Sequence, residues 1–114
     1  MKKFLLGFKY ALQGVRYAFA TQINFRFHSI AAILVILLGL YFQLTRFEWL
    51  WLCTAIILVI VAELFNTALE VLVDLVSPNY NSKAGVVKDL ASAAVLITSL
   101  LSLIIGLFVF IPHL

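Results

Sequence analysis

Four polar side chains interrupt an otherwise apolar run. Glu63, Asn66, Glu70 and Asp74 sit three, four and four residues apart within AELFNTALEVLVDLVSP, residues 62–78, and include three of the chain's five acidic residues. Carboxylates at such spacing can take a proton from a reacting hydroxyl or offer hard oxygen ligands to a divalent cation. At about 100° per residue, the four fall within an arc of roughly 80° on a helix. Leu64, Leu72 and Leu75 make the opposite face apolar. Taken alone, Asn66 or Asp74 would read as polar glue between helices. Four such groups on one face, at graded depth, point to function.

The helix that carries them must begin in lipid. Of the 114 residues, 65% are hydrophobic and 11% charged, and the mean hydropathy is +1.15. Soluble domains average about 45–50% apolar and about 25% charged. This composition therefore points to an integral membrane protein, and the helical pattern of its segments makes it all-α, a single membrane domain over residues 1–114. Residues 1–25 read as an amphipathic surface helix, with Lys2, Lys9, Gln13 and Arg16 on one face and Phe4, Phe8, Leu12, Val15 and Phe19 on the other. Packing against the spans with the basic face wet would produce the same pattern. Three spans follow, at 29–45, 49–77 and 86–111. They are separated by the short polar break Arg46-Phe-Glu48 and by a loop over residues 79–85 after Pro78.

Lys2, Lys3, Lys9, Arg16 and Arg26 precede the first span, and Lys83 and Lys88 lie at the second loop, whereas the first loop has only Arg46. The excess of basic residues puts the N-terminus and the second loop in the cytoplasm and the C-terminus outside. Trp49 and Trp51 then mark the outer interface. Starting from Trp49, about 20 residues cross the hydrocarbon core. Glu63 falls within the inner leaflet, and Glu70 and Asp74 at or beyond its cytoplasmic edge. A site so placed can bring a lipid headgroup to a water-soluble reagent. A carboxylate at Glu63's depth is costly to keep charged, which makes it a candidate proton acceptor.

On the third span, Lys88, Ser92 and Ser99 share a face, and Asp89 in the first turn suits the helix dipole. Lys88 alone would be a snorkelling boundary lysine; it gains weight if it faces the stripe. Three spans leave little room to shield all these groups, so a homo-oligomer is expected. Cys53 is the single cysteine, so no intrachain disulfide can form, and it reads as a small buried apolar residue. His28 and His113 lie near opposite ends of the chain and do not suggest a joint metal site. Neither a phosphate-binding glycine loop nor a protein-kinase signature occurs, and no soluble basic face suggests nucleic acid. The amphipathic N-terminal segment lacks the uninterrupted apolar core of a secretory signal.

Three blocks, AELFNTALEVLVD (62–74), VSPNY (76–80) and VKDLASAAV (87–95), closely resemble the prokaryotic diacylglycerol kinase family, which includes undecaprenol kinases. The family pattern E-x-x-N-[ST]-A-x-E-x-x-x-D, followed by K-D-x-x-[SAG]-[AG]-A-V, is matched without gaps inside each block. The similarity runs from about Phe8 to about Gly106. The resemblance implies a surface helix plus three spans, a homotrimer with shared sites, and transfer of the γ-phosphoryl group of ATP to the hydroxyl of a membrane lipid alcohol. It assigns Glu63 as the proton acceptor and Glu70 as a carboxylate holding the magnesium of MgATP. Tyr10, Asn79, Tyr80, Asn81, Lys88 and Asp89 match nucleotide-binding positions. Asn66, Asp74, Arg16 and Ser92 match supporting or substrate-side positions.

Two departures stand out. Where the family has a second metal carboxylate on the surface helix, this chain has Gln22, and the loop position that is often His is Asn81. An amide oxygen can ligate magnesium but brings no charge. Two rival readings are a small ion or metal transporter and a non-catalytic assembly subunit. The almost purely apolar stretches 33–40 and 49–62 argue against a polar pathway through the membrane.

Overall fold

The computed structural model describes residues 1–114 as four α-helices and a terminal 3₁₀ turn, with no strands: α1 (Lys2–Thr21), α2 (Ile23–Phe42), α3 (Arg46–Val76), α4 (Ser82–Phe110) and the turn Ile111–His113. Helices α2 and α3, and α4 together with its terminal turn, are long and apolar enough to cross a membrane. Only Ala18 of α1 is buried, as suits an amphipathic helix lying against the bundle along one edge.

The first joint lies earlier than the polar pattern suggests. Gln22 adopts an extended conformation (φ −114°, ψ 112°), so α1 ends at Thr21 and α2 starts at Ile23 rather than Ser29. Asn24, Arg26 and His28 consequently belong to the first two turns of α2. Charge alone places the start of the span later, but a charged residue is tolerated at a helix end when it has a partner there. Arg26 Nη1 reaches back to the carbonyls of Phe19 and Ala20 at 3.3 Å each, neutralising the free acceptors at the C-terminus of α1.

Helix α2 stops at Gln43, the only non-glycine residue with positive φ (53°), and the Leu44 amide bonds back to the Gly39 carbonyl at 3.2 Å. This is a left-handed helix cap. Arg46-Phe-Glu48 is not a break but the first turn of α3. Thr45 and Glu48 form a reciprocal capping box: the Glu48 amide donates to Thr45 Oγ1 at 3.2 Å, and the Thr45 amide to Glu48 Oε1 at 2.9 Å. Gly39 makes the turn compact. A Cβ there would stand 2.7 Å from the Trp49 ring, so the indole rests directly on α2 backbone.

Between α3 and α4, Asn81 accepts from the amides of Lys83 and Ala84, starting α4 at Ser82, four residues before the expected Val86. The apolar core is formed by Leu44, Leu52, Ala55, Ile105 and Val109, mainly along the α3–α4 seam, where Ser102 Oγ also donates to the Ala55 carbonyl at 2.8 Å. At the far end of the seam, His113 Nε2 lies 2.7 Å from Glu48 Oε2, tying the terminal turn to the start of α3. Cys53 is exposed rather than buried, because it occupies the face of α3 turned away from α2 and α4. Only 13 of 114 residues are buried, so most of the apolar surface of the spans needs lipid or another chain to cover it.

Candidate active site

The stripe on α3 is continuous, and its two ends differ in environment. Glu63 is 1% exposed, Asn66 is buried, Glu70 is half-buried and Asp74 is exposed. The gradient follows from the fold: α2 crosses α3 at Glu63 with His28 beside it, α1 packs on α3 around Leu64, Thr67 and Ala68, and Asp74 lies beyond both in the last turn of α3.

Two members of the stripe, Asn66 and Glu70, are hydrogen-bonded to each other. Asn66 Nδ2 donates to Glu70 Oε1 at 3.2 Å, an i,i+4 pair, which leaves the buried Asn66 Oδ1 without a partner. Thr67 Oγ1 donates to the Glu63 backbone carbonyl at 2.9 Å and is thereby committed to the helix rather than to the carboxylate. His28 Nε2 lies 3.4 Å from Glu63 Oε1, within ion-pair range but not aligned as a hydrogen bond, so Oε1 has no hydrogen-bond partner. At the exposed end, Lys88 Nζ donates to Asp74 Oδ1 at 2.7 Å. Lys88 thus faces the exposed end of the stripe.

Other residues singled out in the sequence make no hydrogen bond or ion pair with this cluster within one chain. Tyr10 is exposed on α1, and Tyr80 is 93% exposed in the α3–α4 loop beside exposed Asn79. The Asn81 side-chain oxygen is occupied by the α4 cap. Asp89 and Ser92 are exposed on α4. Arg16 borders a shallow depression with Phe25, Ser29 and Ile60. Gln22 is half-buried at the α1–α2 joint. No three His, Cys, Asp or Glu side chains converge as metal ligands.

The donor chemistry nevertheless suits a hard cation. A half-buried carboxylate, Glu70, stands beside the orphaned amide oxygen of Asn66, and magnesium takes such oxygens together with water and phosphate rather than a full protein cage. His28 is the functional candidate that residue spacing alone missed. It is thirty-five positions from Glu63 in sequence, and only the crossing of α2 over α3 brings the two together.

The family model described as prokaryotic diacylglycerol kinase matches residues 9–110. The chain is 40% identical over 111 residues to a diacylglycerol kinase of Synechocystis sp., an alignment covering 96% of this chain and 63% of that relative. It is 35% identical over 114 residues to the undecaprenol kinase of Bacillus subtilis, covering 100% of this chain and 93% of the relative. With the diacylglycerol kinase of Escherichia coli K12 it shares 30% identity over 95 residues, 83% of this chain and 78% of the other. The matched region takes in α2, α3, α4 and the C-terminal two thirds of α1, with the stripe and its lysine; the chain belongs to the prokaryotic diacylglycerol kinase family.

Proposed function

We propose that the chain is a lipid kinase of the cytoplasmic membrane, transferring the γ-phosphoryl group of ATP to the hydroxyl of diacylglycerol, undecaprenol or a similar membrane lipid alcohol. The observation that carries this reading is the polarity gradient of one helix face, from fully buried Glu63 to exposed Asp74 with its lysine. The buried end suits an alcohol arriving from lipid. The exposed end suits a nucleotide arriving from water.

Phosphoryl transfer depends on alignment and charge neutralisation more than on covalent help. Glu63 orients the lipid hydroxyl and takes its proton as the oxygen attacks the γ-phosphorus; the bond to the bridging oxygen breaks and ADP leaves. Glu70, with Asn66 beside it, would hold the magnesium of MgATP, and Gln22 is the candidate second donor. Bound there, the cation offsets charge on the phosphates. Lys88, steered by Asp74, adds a second positive charge at the same end. Tyr10, Asn79, Tyr80, Asn81 and Asp89 are the candidate nucleotide contacts, and Arg16 and Ser92 the supporting positions.

The distribution of Lys and Arg favours a cytoplasmic N-terminus and α3–α4 loop. The uncovered apolar faces of the spans leave surface for self-association, and the family resemblance implies a homotrimer. The deciding experiment is transfer of radiolabelled phosphate from ATP to diacylglycerol and to undecaprenol in mixed micelles with magnesium. Product with either lipid is the expected result, and the comparison identifies the preferred one. No labelled lipid with either would return the chain to the transporter or assembly-subunit reading.

A further inference from the structure

We propose that His28 is a positioning residue for Glu63, its Nε2–H holding the buried carboxylate in the orientation from which it receives the substrate proton. This rests on the reading of Glu63 as proton acceptor. The terminal torsion of a glutamate is broad, so packing alone does not fix which lone pair faces a substrate. Something must hold the head group, and the neighbouring polar groups of α3 are already engaged. The Asn66 amide N–H is given to Glu70, and the Thr67 hydroxyl to backbone. Glu63 Oε1 is left buried and unpartnered, a costly state for a carboxylate oxygen, with His28 Nε2 3.4 Å away.

The surroundings of the imidazole lead to the same pairing. His28 borders an apolar crevice of about 110 Å³ between α2, α3 and α4, walled by residues such as Ala31, Val35, Ala55 and Val59. The one other polar side chain on that wall, Ser102, has its hydroxyl committed to the Ala55 carbonyl. The polar edge of the ring therefore has the Glu63 carboxylate within ion-pair range across the α2–α3 crossing, with no competing acceptor on the crevice wall. A separation of 3.4 Å without hydrogen-bond alignment suits a resting enzyme, in which catalytic hydrogen bonds are commonly long or poorly aligned and tighten when substrate binds.

The test compares His28→Leu and His28→Gln with the parent chain in the micelle assay, with Glu63→Gln run alongside. Leu keeps the bulk and removes the donor; Gln keeps an N–H at similar reach. The expected result is a fall in kcat of about 10- to 100-fold for His28→Leu, as for a reacting group displaced by a fraction of an ångström to about 1 Å. The KM for ATP should stay within about twofold, and His28→Gln should recover most of the rate, a pattern that loss of packing alone does not give. A parental kcat in His28→Leu, or equal losses in the Leu and Gln variants, overturns the proposal. Should His28→Leu fail to assemble, His28→Asn takes its place: its amide falls short of Glu63, and rates equal to those of His28→Gln overturn the proposal. An inactive Glu63→Gln beside a fully active His28→Leu sinks this inference alone. An active Glu63→Gln removes the proton-acceptor reading and this inference with it.

Discussion

At the scale of single residues, Glu63 and Gln22 pose the sharpest tests. Glu63 occupies the deepest position of the stripe with no solvent to share its charge. Glu63→Gln keeps shape and removes the proton-accepting oxygen. Turnover should fall by about 10²- to 10⁴-fold, the range that general-base catalysis contributes. The oligomer should persist on size-exclusion chromatography, because Gln is less costly than Glu at that depth. Near-parental turnover would take Glu63 out of the reaction. Gln22 sits in the extended joint between α1 and α2, where a carboxylate would not disturb a helix interior. Gln22→Glu should shift the magnesium activation curve to lower concentration, since a charged ligand binds the cation more tightly than an amide. An unmoved or weakened curve would mean that Gln22 is remote from the metal. The stripe itself is legible in sequence because all four side chains ride on one helix, where spacing fixes direction. His28 is not, since its value comes from how two helices cross, which no spacing within either helix encodes.

At the scale of elements, the number and order of helices follow from apolar length, while their ends follow from local hydrogen bonding. The expected limits 29–45, 49–77 and 86–111 took polar residues as the edges of spans. Helix α3 instead starts at Arg46, because Thr45-x-x-Glu48 is a capping box that absorbs the polar residues into its first turn. Asn81 does the same for α4. Both signals are visible in the sequence once polar residues are read as caps rather than as interruptions. The α2–α3 turn depends on a feature that spacing does not reveal, the seating of Trp49 on Gly39. Gly39→Val should force the indole off the α2 backbone at a cost of about 1–3 kcal/mol, as for overpacking of a tight interior. The melting temperature of the detergent-solubilised protein should fall, and Trp fluorescence should report a more polar ring environment. An unchanged melting temperature would show that the turn can relax around a larger residue. Because this joint lies at the opposite end of α3 from Asp74, substrate affinities should change less than stability.

At the scale of the whole molecule, one chain leaves part of its polar equipment facing nothing. Consecutive residues on a helix point about 100° apart, so when Lys88 reaches Asp74 of its own chain, Asp89 cannot share that direction. Asp89 is indeed exposed. If it contacts the nucleotide, it does so most directly at the stripe of an adjacent copy, against which the uncovered face of α4 would pack. This leads to a test of shared sites that needs no view of the assembly. Chains carrying Glu63→Gln and chains carrying Asp89→Asn should each be nearly inactive alone. Mixed before assembly, they should recover activity, because some interfaces will pair an intact Glu63 stripe with an intact Asp89 from the neighbour. Sites built within single chains would yield no recovery at any mixing ratio, since every site would then hold one defect or the other. The recovered rate should vary with mixing ratio, highest near equal amounts and vanishing toward either pure variant. Light scattering should give a protein mass about three times the 12.8 kDa of the chain for parent and mixture alike. A monomeric mass with full activity would contradict both the trimer and the sharing, and would require Asp89 to act on its own chain through a rearranged N-terminal part of α4, the helix that begins at Ser82.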